Sequence, residues 1–249
     1  MKNLQIPFKD IETVFLDAGN TLLCMDFPWI RNELKKLGIK CEINELERAE
    51  SAARPELSSK LETLRSTETT QTSIAYMGSI LNKLPSASFL GDKKRNRIIE
   101  DLVLMLQKPG RKERLWSNLI PCVRDALEIL EGKGFRLSVV SNSNGMIDGI
   151  LSDLDIRKYF DHVFDSHNVG YEKPDVRLFR HALDVSKADP ERTLHIGDLY
   201  HVDVLGARSA GIHALLLDPF GDWRDVDCIK MPDLISVARM MEEIKGAGT

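Results

Sequence analysis

The stretch TLHIGDLYHVDVLGARSAGIHALLL, residues 193–217, contains two short apolar runs with a helical pattern between them. Thr193 to Ile196 is a buried-strand signal that ends in Gly197 and Asp198, and His213 to Leu217 is another. Val204, Leu205 and Ala207 share a helical face that stops near Gly211. Strand, helix and strand in this order make a βαβ unit, because parallel neighbours need a long crossover between them.

Outward from this unit the same alternation repeats. Val14 to Leu16 and Leu137 to Val140 give two further strand signals. Val123, Ala126, Leu127 and Leu130 line one helix face, closed by Gly132 and Gly134, and another helix opens near Pro174 and runs through Leu178, Phe179, Ala182 and Leu183. The expected class is α/β, a parallel sheet covered on both faces, with ligands at the C-terminal ends of its strands.

The stretch from 25 to 114 differs. It has no clear strand signal, is rich in Glu, Lys, Leu, Ser and Thr, and carries helical periodicity broken near Gly38, Pro85 and Gly91. The reading is an inserted all-helical domain over 25–114 within an α/β core of 1–24 and 115–249. No repeat or low-complexity tract stands out, and the Ser/Thr-rich Ser66 to Ser73 reads as a flexible connection.

At 249 residues and 43% hydrophobic content, the chain can bury one substantial core and a smaller module. Net charge is -4 with Lys and Arg dispersed, so there is no electrostatic footprint for nucleic acid and a small-molecule partner is expected. The runs Lys93 to Arg97 and Arg111 to Arg114 read as solvated helix faces in preference to a phosphate-attracting rim. The start lacks a signal peptide's apolar stretch and no run reaches the ~20 residues of a membrane span, so a cytoplasmic protein without membrane contact is expected. Cys24, Cys41, Cys122 and Cys228 form no CxxC pair and read as reduced structural thiols, with Cys24 closest to the first motif.

Four strand ends carry the chemistry. VFLD ends in Asp17, followed by Ala18, Gly19, Asn20 and Thr21; a carboxylate there can attack phosphorus or bind a metal, or merely cap a turn. LSVV leads to Ser141, Asn142 and Ser143, whose first hydroxyl can serve a phosphoryl oxygen or cap a helix. GYEKPD sets Lys173 at a helix start, where the dipole disfavours a cation unless an anion is its partner. HIGDLYHVD supplies Asp198 and Asp203, two carboxylates able to hold a hard cation. All four fall at one predicted sheet edge, which makes coincidence a poor account.

With DAGNTL at 17–22, VVSNS ending at 143, GYEKPD, and IGDLYHVDVLGARSAG as its four motifs, the chain resembles the haloacid dehalogenase superfamily over nearly its whole length. The resemblance implies a Rossmann-like core with a helical cap between the first two motifs. It implies Asp17 as nucleophile, Ser141 as phosphoryl binder and Lys173 as the neutraliser of a phosphoaspartyl intermediate. Asn20 and Asn142 would contact substrate, and Asp17, the Gly19 carbonyl, Asp198 and Asp203 would hold Mg²⁺. A Mg²⁺-dependent phosphohydrolase of a phosphorylated small molecule follows, as monomer or homodimer.

One position departs from the pattern. Phosphatases that this chain resembles carry a second Asp two residues after the nucleophile, and here that place is Gly19. Losing a general acid/base is worth ~10² to 10⁴ in rate. The departure keeps other readings open: a 2-haloacid dehalogenase with Arg31, Arg48 or Arg54 receiving halide, a phosphonate hydrolase with Lys35, Lys36 or Lys60 forming a Schiff base, or a weakly catalytic member that binds a ligand or protein. His201, or less readily His167, is a candidate replacement, and Phe27, Trp29 and Tyr76 read as cap core or as an apolar wall over substrate.

Overall fold

The computed structural model describes residues 6–111 and 114–246. In chain order the first elements are β1 (Thr13–Leu16), β2 (Leu23–Met25), α1 (Phe27–Lys36), α2 (Ile43–Leu64), α3 (Thr70–Lys83), α4 (Asp92–Leu106) and β3 (Trp116–Leu119). Then come α5 (Val123–Gly132), β4 (Arg136–Ser141), α6 (Ile147–Asp153), β5 (His162–Asp165), α7 (Ser166–Val169), α8 (Val176–Ser186) and β6 (Thr193–Gly197). A π-helical turn (Tyr200–Leu205), α9 (Gly206–Ser209), β7 (His213–Leu217), β8 (Ile229–Met231) and α10 (Leu234–Gly246) complete it.

Six strands form one parallel sheet in the order β5-β4-β1-β6-β7-β8, and β2 pairs with β3 in a separate two-stranded sheet. The period of two along each strand sorts its side chains. Val14, Leu16, Leu137, Val139, Leu194, Ile196, Leu215 and Leu217 join one core with α5 and α10, while Phe15, Val140, Ala214 and Leu216 join another with α8 and α9. Both faces are thus largely apolar, which is why the strands read as mostly hydrophobic runs. Leu127, wholly buried on α5, tests this packing: Leu127→Ala should lower the free energy of unfolding in urea by about 2–5 kcal/mol. An unchanged midpoint would show that α5 does not contribute as described.

The strand order places the site. From β1 the chain builds outward through β4 and β5 on one side, then returns to build β6, β7 and β8 on the other. The C-terminal ends of β1, β4 and β6 therefore flank a topological switch point, the place where loops diverge and leave a crevice.

Residues up to Leu23 and from Leu119 onward make one compact unit, and Cys24–Asn118 make a second. The second unit has its own core, which includes Phe27, Leu46, Ile80 and Leu102, with Trp29 and Tyr76 packed against it. α1 is capped by Asp26, whose side chain accepts from the Trp29 N–H at 3.0 Å. Inside α2, Arg54 donates to Glu50 through Nε at 2.9 Å and Nη2 at 2.6 Å.

Three local readings change. The Ser/Thr-rich stretch is not a loose connection throughout: Thr69 caps α3 by accepting from Thr72 N at 3.1 Å, and Thr72 Oγ1 donates to Ser66 O at 2.6 Å. The helix expected around Val204 to Ala207 begins as the π-helical turn and becomes α-helical only at Gly206. β5 and β8 were not expected; HVFD mixes polar with apolar residues and IKM is only three residues long, so neither gives a clear run. Of the two basic runs, Lys93 to Arg97 lies on α4 with four of its five residues exposed, while Lys112 and Glu113 lie outside the described residues.

Candidate active site

Asp17 is the first residue beyond β1, and its N–H continues the ladder to Ile196 O at 2.9 Å. The chain then turns sharply: Leu22 N and Leu23 N both donate to Ala18 O at 2.9 Å, and Asn20 takes a left-handed backbone (φ 54). Asn tolerates that region better than most residues. Gly19 sits in this turn, bridged to Leu23.

Lys173 arrives from the loop ahead of α8 and is only 2% exposed. Its Nζ donates to Asp17 Oδ1 at 2.6 Å and to Asp203 Oδ1 at 2.7 Å. The Asn142 side chain holds the backbone of the same residue from both sides, accepting from Lys173 N at 2.7 Å and donating to Lys173 O at 2.9 Å. Gly206 lets α9 approach closely, since a Cβ there would fall 3.0 Å from Pro174 Cα and 2.9 Å from Phe179 Cε2.

Asp198 follows β6, and Asn20 Nδ2 donates to its Oδ2 at 3.0 Å. Asp203 is turned back toward the strand end by the π-helical turn, with its N–H on Leu199 O at 2.7 Å and its Oδ2 accepting from Leu199 N at 2.9 Å. Wide turns of this kind are frequent at functional sites. The approach requires glycine at 197, where a Cβ would lie 2.3 Å from Asp203 Cγ. Gly197→Ala should therefore displace the Asp203 carboxylate and destabilise the fold by about 1–3 kcal/mol. Urea unfolding measures the cost, and a wild-type midpoint would contradict the close approach.

Oxygens of Asp17, Asp198 and Asp203 lie within 4.8 Å of one another, all three residues buried. Burial opposes charge on each member of the surrounding group, and the partners decide the result. Burial raises the Asp17 pKa, and the neighbouring Lys173 charge does not fully offset it. For Asp203 burial is overcome by Lys173 and by the His195 hydrogen bond, so its pKa falls well below the carboxylate range. Lys173 is desolvated too, yet Asp17 and Asp203 together hold its pKa above the ordinary value.

Of the residues expected at the site, Asp17, Asn20, Lys173, Asp198 and Asp203 are joined directly by these hydrogen bonds and by the carboxylate cluster. Ser141 ends β4 at the same edge, its Oγ reaching Asn142 O at 3.4 Å, a weak bond. Asn20, expected to contact substrate, donates through Nδ2 to Asp198, and the Asn142 amide, expected to do the same, bonds the Lys173 backbone.

Other candidates are occupied elsewhere. Arg54 is paired with Glu50, Arg31 lies 3.7 Å from Glu42, Lys36 is paired with Glu33 and Lys60 with Glu56, while Arg48 and Lys35 are exposed. His167 is exposed and His201 half-buried in the π-helical turn. The Cys24 thiol is pushed up to about 11, by burial first and then by Glu47, so it is protonated at neutral pH. The missed residue is His195, fully buried on β6 with Nε2 3.0 Å from Asp203 Oδ1. A lone His within an apolar strand gives no sequence signal, because its partner is brought to it only by the turn that follows.

A family model described as haloacid dehalogenase-like hydrolase matches residues 11–211. Haloacid dehalogenase-like hydrolase domain-containing protein 3 of Homo sapiens is 39% identical over 93 residues, which is 37% of each chain. Glyceraldehyde 3-phosphate phosphatase of Methanothermobacter thermautotrophicus is 38% identical over 99 residues, 39% of this chain and 44% of that protein. In these the matched stretch spans well under half of the relative's length. A phosphoglycolate phosphatase of Nitrosospira multiformis is 28% identical over 183 residues, 68% of this chain and 78% of that one. Among solved structures, the HAD-hydrolase YfnB from Bacillus subtilis bound to magnesium shares the fold with a TM-score of 0.62 at 18% identity, covering 93% of this chain and 98% of that one.

Proposed function

The chain belongs to the haloacid dehalogenase-like hydrolases, and from that premise we propose that it is a phosphohydrolase which forms an aspartyl-phosphate on Asp17. The buried acidic cluster beside the Lys173 ammonium carries this reading. Three buried carboxylates, Asp17, Asp198 and Asp203, converge on one place beside the Lys173 ammonium. An all-oxygen donor set of this kind suits a hard divalent cation. Asp17, Asp198 and the Gly19 carbonyl would hold Mg²⁺, with Asp203 as a further ligand or orienting its water. When bound, Mg²⁺ offsets the charge that otherwise keeps a carboxylate away from a phosphate.

In the first step the Asp17 oxygen that Lys173 does not hold attacks phosphorus, and the bond from phosphorus to the leaving oxygen breaks. The Lys173 ammonium, 2.6 Å from the other oxygen, stabilises the mixed anhydride so formed. Ser141 Oγ donates to a phosphoryl oxygen. In the second step water attacks phosphorus, the anhydride bond breaks, Asp17 regains its carboxylate and inorganic phosphate leaves. Neither step finds a proton donor at Gly19. The substrate is therefore one whose leaving group needs little protonation, such as an acyl phosphate, or one in which its own group or another side chain supplies the proton.

Relatives named as phosphatases of glyceraldehyde 3-phosphate and phosphoglycolate point to small phosphorylated carbon compounds. The acidic cluster disfavours dehalogenation, which needs no cation. The free cysteines among the described residues suit a reducing compartment, and no helix there is long and apolar enough to cross a membrane. Phosphate release from two- and three-carbon phosphates and acyl phosphates, with and without Mg²⁺, tests the reading. Turnover that survives without Mg²⁺ or without Asp17 would overturn it.

Gly19→Asp should restore the missing acid/base. For phosphate monoesters with a poor leaving group we expect kcat to rise by about 10²-fold, the low end of what such a group supplies, with little change for acyl phosphates. Equal gains on both classes would argue that the substitution acts in some other way.

A further inference from the structure

His195 occupies a place that packing alone would give to an apolar side chain. In register it stands between Phe15 of β1 and Ala214 of β7, both part of the core against α8 and α9. It is 0% exposed, and its ring meets the edge of Phe179 at 5.0 Å and 80°. Asp203, ionised through Lys173, can only accept hydrogen bonds, so the proton in the 3.0 Å contact belongs to His195 Nε2. The choice of tautomer follows from that bond. Nδ1 is then a bare acceptor, buried without a hydrogen-bond partner.

An orphaned buried acceptor destabilises a fold relative to an apolar group of the same shape. Stability therefore does not account for the imidazole, whereas its single hydrogen bond does. That bond reaches the same Asp203 oxygen that takes Lys173 Nζ at 2.7 Å, while Leu199 N fixes the other oxygen at 2.9 Å. We propose that His195 is a positioning residue whose Nε2–H clamps the Asp203 carboxylate, so that Asp203 in turn holds the Lys173 ammonium against Asp17. What the ammonium then does rests on the phosphohydrolase reading; its placement does not.

Two variants of the full chain separate the possibilities. His195→Leu removes the donor and the orphan together; His195→Gln keeps a donor near the Nε2 position. The first readout is the Lys173 ammonium signal in ¹⁵N-resolved spectra, assigned by its loss in Lys173→Met. We expect slow proton exchange in wild type and His195→Gln, and exchange faster by about tenfold in His195→Leu. The second readout is kinetic: kcat lower by about tenfold in His195→Leu with KM unchanged, largely restored in His195→Gln.

Identical Lys173 exchange in all three proteins would overturn the proposal. So would a fallen midpoint with unchanged kcat, the mark of a merely structural role, or a kcat loss that Gln does not relieve. If the wild-type protein turns over no phosphorylated compound, the phosphohydrolase reading falls and the exchange measurement still decides the clamp.

Discussion

Asp17→Asn is expected to lower phosphate release by about 10⁴-fold or more while leaving the protein folded. The rate effect follows from removing the attacking oxygen's charge, since a member of a nucleophilic unit contributes on the order of 10⁴ to 10⁶ in kcat. The stability expectation follows from the direction of its titration. The folded protein raises the Asp17 pKa, chiefly by burying the carboxyl, so it binds that proton more tightly than the unfolded chain does. A group of this kind costs stability once the pH rises past it. At neutral pH the neutral Asn removes that cost, and Lys173 keeps its bond to Asp203 at 2.7 Å. Thermal melting beside a phosphate-release assay decides the matter. Residual activity above about 1% of wild type would show that Asp17 is not the nucleophile.

Lys173→Met is expected to damage both activity and fold. Lys173 is bonded to two buried carboxylates, and removing one partner of a buried ion pair typically costs about 3–5 kcal/mol. That is a large share of the roughly 5–15 kcal/mol by which a domain is stable. The dependence on pH has a definite sign. Because Asp17 and Asp203 hold the Lys173 pKa above its ordinary value against burial, its contribution is fully present below the unfolded value of about 10.4. It is lost only as pH rises through the folded value. The gap in unfolding free energy between wild type and variant should therefore be flat from pH 7 to 9 and narrow in stronger alkali. A gap that widened with pH would mean that Lys173 is not held as a cation.

Most of the sheet could be read from the chain because its strands are buried on both faces. Val14 to Leu16, Leu137 to Val140, Thr193 to Ile196 and His213 to Leu217 are mostly apolar, and each lies in a strand of the large sheet. The outer strands β5 and β8 escaped because HVFD and IKM keep polar residues at the sheet's margins. At the site, residue type and order led to Asp17, Lys173, Asp198 and Asp203 as candidates at one sheet edge, and their side chains do meet there.

Contacts made by side chains folding back were not legible. The Asn142 amide is matched to the two backbone groups of Lys173, a pairing set by how two loops meet. His195 and Asp203 meet only because the helix after β6 starts one residue wider than an α-helix, and nothing in YHVDVL announces that. The Ser66 to Ser73 stretch misled for a related reason: hydroxyl residues that suggest a loose linker also make caps, as Thr69 and Thr72 do here.

The central position of β1 has a consequence for how the chain is made. Thr13 to Leu16 leave the ribosome before their hydrogen-bonding partners, which are Arg136 to Val139 on one side and Thr193 to Ile196 on the other. Until both are synthesised, a very apolar segment is left with two bare edges. The intervening Cys24–Asn118 unit, built from contacts between helices near in sequence, can assemble meanwhile, because local contacts form long before distant strand pairings. Nascent chains interrupted between residues 120 and 190 would thus carry a folded helical unit tethered to an unpaired strand, the species most exposed to aggregation and to chaperone capture.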